Sequence, residues 1–353
     1  MRRTIIAAAW PAGAAATLLL AGTSARAGLD PGYWLAPPVA LPGDEGWDYL
    51  AFEPGGHRLF IAHGTRVLVV EADKLAPAGE IADTPGVHGI ALAPELGRGY
   101  ISAGRAGLIV VFDLKTLARL KEIRTTGDNP DAILYDPATQ RVFSFNGRGR
   151  NVTAVDARTD TVAGTIALDA KPEFAVSDGA GHVYVNLEDK NSIAEIDPRA
   201  LKVTRVWPIE GCEEPSGLAR DAAARHLFPV CGNRVMAVVD AVSGRVLGRA
   251  PIGGGVDAAA FDPALGLVFA SCGEGVLTVV RVSPAGIPAV AQSLATERGA
   301  RTLTLDERTH RLFLVTASFG AAPAATTAEP HPRPPILPGS FRLLVATRAA
   351  DNR

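Results

Sequence analysis

The chain has 353 residues, 47% hydrophobic and 20% charged, with 35 Lys and Arg against 37 Asp and Glu and a formal charge of −2. That composition predicts a packed globular core rather than a disordered chain. The near balance of charge speaks against a nucleic-acid binder, which needs a basic surface.

In chain order, the first feature is a leader. Arg2-Arg3 precede an apolar stretch from Ile5 to Leu20, which Pro11 and Gly13 interrupt, and Ala25-Arg26-Ala27 fits a small-x-small cleavage site. Residues 1–27 therefore read as a cleaved signal peptide, with Gly28 as the mature N-terminus. The residues after the paired arginines match the twin-arginine signal poorly, which favours the general secretory route. The apolar run is short and broken for a membrane span, and no Cys follows it to take a lipid. Removing Arg2, Arg3 and Arg26 leaves 32 basic against 37 acidic residues.

Tyr33 to Leu41 comes next and reads as a strand. Pro37-Pro38 fit only an outermost strand, where one side of the backbone stays unpaired.

From Asp48 onward one pattern recurs seven times. A polar residue opens a short apolar run at Asp48, His88, Asp131, Glu173, Ser216, Asp257 and Arg301, spaced by 40 to 44 residues. The repeat beginning at Pro130 shows the design. Asp131 to Tyr135 is a strand stopped by Asp136-Pro137, and Arg141 to Phe145 ends at Asn146-Gly147, which tolerates positive φ. Asn151 to Val155 alternates between two faces, and Thr161 to Ile166 is β-branched. Four strands per repeat at this period predict an all-β, seven-bladed β-propeller of four-stranded antiparallel blades, one domain over 28–353. The third strands end in Asp113, Asp156, Asp197 and Asp240, placed to bond backbone donors of the following turn.

The last repeat lacks its outer strand. Its predicted strands lie near Arg301–Leu305, Arg311–Thr316 and Phe341–Thr347, so Tyr33–Leu41 is expected to close the ring and remove an exposed edge. Between its second and third strands lies an Ala/Pro-rich insertion, residues 318–340, with Pro330-His331-Pro332-Arg333-Pro334-Pro335. Such a segment is extended and carries no core of its own. It reads either as a lid or docking segment bringing His331 and Arg333 to the channel mouth, or as a plain surface insertion.

These residues carry a family resemblance. Asn151-Val152-Thr153-Ala154-Val155-Asp156, continuing to Thr165-Ile166, resembles the core of the YVTN repeat, and Pro172 to Asp178-Gly179 resembles its opening. The chain is thus similar to the YncE-like seven-bladed propellers of the bacterial periplasm. Blades one, two and six depart, with Trp47, Val87 and Val256 where the repeat has Pro. The resemblance implies a periplasmic binding protein and assigns no activity.

Propeller geometry places the loops entering the first strand and leaving the second strand on one face. The seven openers are therefore expected to ring the channel mouth, with His63, Asn146, Asn186, Cys231 and Cys272 near them at the ends of second strands. His57, His182, His226 and His310 fall at the opposite turns and read as surface polar residues. Carboxylates around a low-dielectric mouth attract cations and take raised pKa values. His63, His88, Asp131 and Glu173 offer N and O ligands for a divalent metal ion; the plainer reading is a set of solvated polar groups in a wet channel.

Of three cysteines, Cys212 and Cys231 fall on the same face of blade five, and an exported chain meets oxidising conditions. Cys212–Cys231 is the first pairing, Cys231–Cys272 competes, and a thiolate metal site with His63 or His88 is a third possibility. There is no G-x-S-x-G, H-E-x-x-H or phosphate loop. Three functions remain open. One is a channel-face binding protein for a small ligand or a periplasmic protein, acting as a monomer. Another is a metal-dependent hydrolase, because Glu173, Asn146, Asn186 and Asp257 supply the residue types with which six-bladed lactonases hold calcium. The last is a structural interaction scaffold.

Overall fold

The computed structural model describes residues 32–324, 326 and 332–348, so the predicted leader and His331 lie outside the described residues. Each repeat folds into four antiparallel strands. In blade three these are Pro130–Asp136, Arg141–Asn146, Asn151–Asp156 and Thr161–Ala167, paired in sequence order. Six blades follow this plan. The seventh is completed across the termini: Leu303–Asp306, Arg311–Thr316 and Arg342–Arg348 are joined by Tyr33–Leu35 and Val39–Ala40, both antiparallel to Arg342–Arg348. The closing strand is broken in the middle because Pro37 and Pro38 lack the N–H a ladder requires. The flanking Ala36 and Leu41 still donate to Val345 and Phe341 at 2.9 Å. No helix among the described residues is long and apolar enough to cross a membrane.

An aromatic near the start of every second strand, at its third position in six blades and its second in blade four, holds neighbouring blades together. Phe60, Tyr100, Phe143, Tyr184, Phe228, Phe269 and Phe313 are all buried. Phe60 meets Phe112 of the next blade at 5.7 Å between ring centroids, and Tyr33 of the closing strand meets Phe269 at 5.2 Å. Burying such a ring contributes about 2–3 kcal/mol each, so the sequence run RLF, RVF or HVY is the inter-blade glue.

At the outer end of the third strands the recurrent Asp side chains accept backbone hydrogens. Asp113 takes Thr116 N at 2.7 Å, Asp156 takes Arg158 N at 2.9 Å, Asp197 takes Arg199 N at 2.8 Å, and Asp240 takes Ser243 N at 2.7 Å. The four histidines of the opposite turns are not uniformly on the surface. His226 is buried, and His310 sets Nδ1 2.6 Å from the fully buried Asp262. The second strand of blade five begins at His226 and so carries it into the sheet.

The feature that builds the site is a bulge. In the first six blades the pairing of first and second strands shifts register just after the strand begins: between Trp47 and Leu50, Val87 and Ile90, Pro130 and Ile133, Pro172 and Ala175, Pro215 and Leu218, and Val256 and Ala258. Each shift spans the polar opener. A bulge breaks the strict alternation of a strand and re-aims a side chain.

Candidate metal-binding site at the channel mouth

Six of the seven predicted openers, Asp48, His88, Asp131, Glu173, Asp257 and Arg301, converge around a cavity of about 530 Å³, together with Tyr49 and Arg333. The tightest group is Asp48, His88 and Asp131, from three consecutive blades. His88 Nδ1 lies 2.7 Å from Asp48 Oδ2 and 3.7 Å from Asp131 Oδ1. One donor atom from each of the three lies within 4.8 Å of the others. Gly104 makes room for the imidazole: a Cβ there would stand 2.7 Å from His88 Nε2. The ring therefore presents Nδ1 to the two carboxylates.

The rest of the cavity is a ring of ion pairs. Arg301 Nε donates to Asp257 at 2.6 Å, and its Nη2 reaches Trp47 O at 3.3 Å. Lys171 pairs with Glu173 at 2.7 Å and with Glu188. Tyr49 is buried against Phe174, centroids 5.1 Å apart. Four carboxyl groups against two guanidiniums give the lining a formal count of −2 before any of the carboxyl groups or His88 takes up a proton.

The electrostatics follow from crowding. Burial, reinforced by the charges of Asp48 and Asp257 and opposed by His88, raises Asp131 to about 6. Burial and the charge of Asp131 raise Glu173 to about 8 against the pull of Lys171. Burial raises Asp257 too, with Arg301 opposing. Burial alone would lower His88, but the hydrogen bond to Asp48 and the charges of Asp131, Asp48 and Glu173 outweigh it and raise its pKa. Burial and the same carboxylates push the Tyr49 phenol well above its usual value, so it stays a neutral hydroxyl.

Other predicted residues lie elsewhere. Ser216 bonds the backbone, its Oγ 3.2 Å from Val256 O. Asn146 and Asn186 are fully buried; Asn146 Nδ2 donates to Asn151 Oδ1 at 2.8 Å and Asn186 Nδ2 to Ser216 O at 2.8 Å. Their amides tie strands and blades together, so the Glu-Asn-Asn-Asp set of the lactonase reading is not assembled. His63 stacks on Phe341 with centroids 4.2 Å apart and stands 3.0 Å from Glu45, without the alignment of a hydrogen bond. Burial lowers its pKa despite Glu45. It belongs to this separate group and not to the His88 cluster. Glu173 lines the cavity but is engaged by Lys171.

Cys212 and Cys231 form the disulfide, with Cα atoms 5.5 Å apart. Cys272 is a buried thiol raised by burial to about 11, and among the described residues it joins no group of three donor atoms that could share a metal ion. Tyr49, Glu45 and Lys171 went unseen in the sequence. Tyr49 directly follows an opener, where ordinary alternation would turn it away from the channel. Only the two-residue bulge between Trp47 and Leu50 brings adjacent side chains to one cavity.

No protein-family model matches the chain. Over 157 residues it is 27% identical to "Uncharacterized protein YncE" of Salmonella typhi, and equally to that of Salmonella typhimurium; the match spans 41% of this chain and 44% of each relative, less than half the length of either. The solved structures of U3-55K and of the RRP9 WD40 repeats superpose with TM-scores of 0.74 each, covering 90% and 91% of this chain and 99% of theirs. Their identities of 8% and 9% show the propeller fold alone. The chain is thus a seven-bladed propeller with distant YncE homology.

Proposed function

We propose that this chain is an exported binding protein of the YncE-like kind that holds a divalent transition-metal ion at Asp48, His88 and Asp131. The observation that carries this reading is the convergence of one imidazole and two carboxylate donors within 4.8 Å, in a cavity lined by four carboxyl groups. An N,O,O donor set suits zinc or a similar divalent ion and leaves coordination positions open for water, a small ligand or a partner group. Asp48 takes the place that the sequence assigned to His63. Glu173 stands beside the cluster as a reserve carboxylate under the control of Lys171. The leader-like residues 1–27 and the Cys212–Cys231 disulfide support export to an oxidising compartment, the periplasm.

The test is native mass spectrometry of the protein purified from a periplasm, before and after chelation. A chelator-sensitive mass that disappears in His88→Ala and in Asp131→Asn is expected. A bare protein that takes up no zinc, manganese, nickel or cobalt on titration refutes the reading.

A further inference from the structure

Beside the channel mouth lies a second crevice of about 570 Å³, between the edge of blades six, seven and one and the base of the 318–340 insertion. The insertion is anchored there as a short antiparallel stem. Phe319 bridges Ile336, Gly320 N donates to Pro335 O at 2.8 Å, and Leu337 N donates to Ser318 O at 2.8 Å. Gly339 N donates to Asp44 Oδ1 at 2.6 Å, which ties the stem to the loop entering blade one. The arm from Arg333 to Ile336 is thereby held over the ring.

The crevice has two kinds of wall. One is apolar and aromatic: Trp47 and Phe319, 6.0 Å apart between centroids, with Pro334 and Ile336. Phe319 packs close against Gly299, where a Cβ would come within 2.8 Å of the ring. The other wall is cationic, with Arg298 and Arg333. Arg298 sits 5.9 Å over the Phe319 ring, and among the described residues neither guanidinium has an ion pair or a hydrogen-bond acceptor. This is unlike the remaining arginine of the crevice, Arg301, which Asp257 occupies. A further donor waits at the same place. Trp47 is 93% buried, at 7% exposure, and its indole Nε1–H has no partner among the described residues. A buried unpaired donor is destabilising by about 1–3 kcal/mol and is normally satisfied.

We propose that this crevice binds a small organic carboxylate with a flat apolar body. The body packs against the wall formed by Trp47, Phe319, Pro334 and Ile336, and the carboxylate is received by Arg298 and Arg333. Guanidinium forks recognise carboxylates bidentately, and aromatic walls give a flat ligand large contact area. The indole N–H supplies a third donor once the Arg333–Ile336 arm yields to a ligand oxygen. Arg301 and Arg333 line both this crevice and the channel-mouth cavity, so a ligand held here lies beside the channel mouth. Binding itself requires no metal.

The experiment is isothermal titration calorimetry of the exported protein with 2-naphthoate in the presence of EDTA, beside its neutral analogue 2-naphthamide and beside acetate. Saturable binding of 2-naphthoate is expected, with 2-naphthamide and acetate at least tenfold weaker. The double variant Arg298→Gln/Arg333→Gln should lose at least tenfold in affinity for 2-naphthoate while leaving 2-naphthamide unchanged; both side chains are exposed and unpaired, so the fold does not depend on them. Trp47→Phe, which keeps a ring and removes the donor, should weaken 2-naphthoate severalfold. Equal affinity for naphthoate and naphthamide, an unaltered double variant, or no saturable heat overturns the proposal. EDTA separates this outcome from the metal reading, which stands or falls on a chelator-sensitive mass.

Discussion

Asp131→Asn should make the metal-free protein more stable while abolishing metal binding. In the folded chain Asp131 is raised from an ordinary 3.8 to about 6, chiefly by burial. A carboxyl whose folded pKa exceeds its unfolded one holds its proton more tightly in the folded state. Its favourable contribution is full below about pH 3.8 and is lost as pH rises through about 6. At pH 7 the ionised group therefore destabilises the apo fold by roughly 3 kcal/mol, and Asn removes that charge at nearly constant shape. For a chain of this length that corresponds to about 4 °C in Tm. The assay is thermal unfolding in EDTA at pH 7 and pH 4. The variant should melt higher at pH 7, and most of the difference should be gone at pH 4. Zinc at a hundred times its Kd should restore about 2.7 kcal/mol to the native chain and nothing to the variant. A variant that melts at or below the native chain in EDTA at pH 7 would refute the account, since the site would then carry no electrostatic strain for a cation to relieve.

The same groups set a pH dependence for the ligand. Metal must displace protons from Asp131, at about 6, and from His88, which is raised above its ordinary value. Zinc affinity measured by competition should fall at least tenfold from pH 7.5 to pH 5, and a flat profile counts against these ligands. The Cys212–Cys231 bridge closes a separation of 19 residues, so Cys212→Ser/Cys231→Ser should cost about 3 kcal/mol in urea unfolding; an unchanged midpoint would mean that the loop entering blade five is ordered without it. Cys272, buried and raised to about 11, should resist iodoacetamide in the native protein and gain one adduct only on unfolding, as read by intact mass. Phe269→Ala removes the ring against which Tyr33 packs and should destabilise by about 3–5 kcal/mol. Deleting residues 33–41 should leave the edge of Arg342–Arg348 unpaired, with self-association seen by light scattering.

Much of the architecture was legible in the chain because each determinant is local and repeats. The spacing of 40 to 44 residues between openers, the aromatic near the start of every second strand, and the Asp that accepts turn hydrogens are all short-range patterns. The missing outer strand of blade seven was legible for a related reason: a ring of six complete blades and one incomplete blade has one vacancy, and Tyr33–Leu41 is the strand left over. Which face the openers share also followed from the strand order of a blade.

What the sequence by itself determined is therefore the ring, its closure and the identity of the residues near its mouth. Tertiary structure alone decided which of them meet. His63 and His88 are equally plausible ligands by residue type, yet Phe341 and Glu45 claim the first and Asp48 the second. Asn146 shares the pairing position of His63 while Asn186 stands one residue earlier, Leu187 taking that place in blade four, and burial turned both amides to tying strands and blades together. The addition of Tyr49 to the cavity, and the placing of Arg333 over the mouth, required the bulge and the anchored stem of the insertion. Periodicity reports where a residue lies along a strand. Which neighbour from another blade comes within 3 Å depends on backbone re-aiming and packing between segments tens to hundreds of residues apart, and no local pattern carries that information.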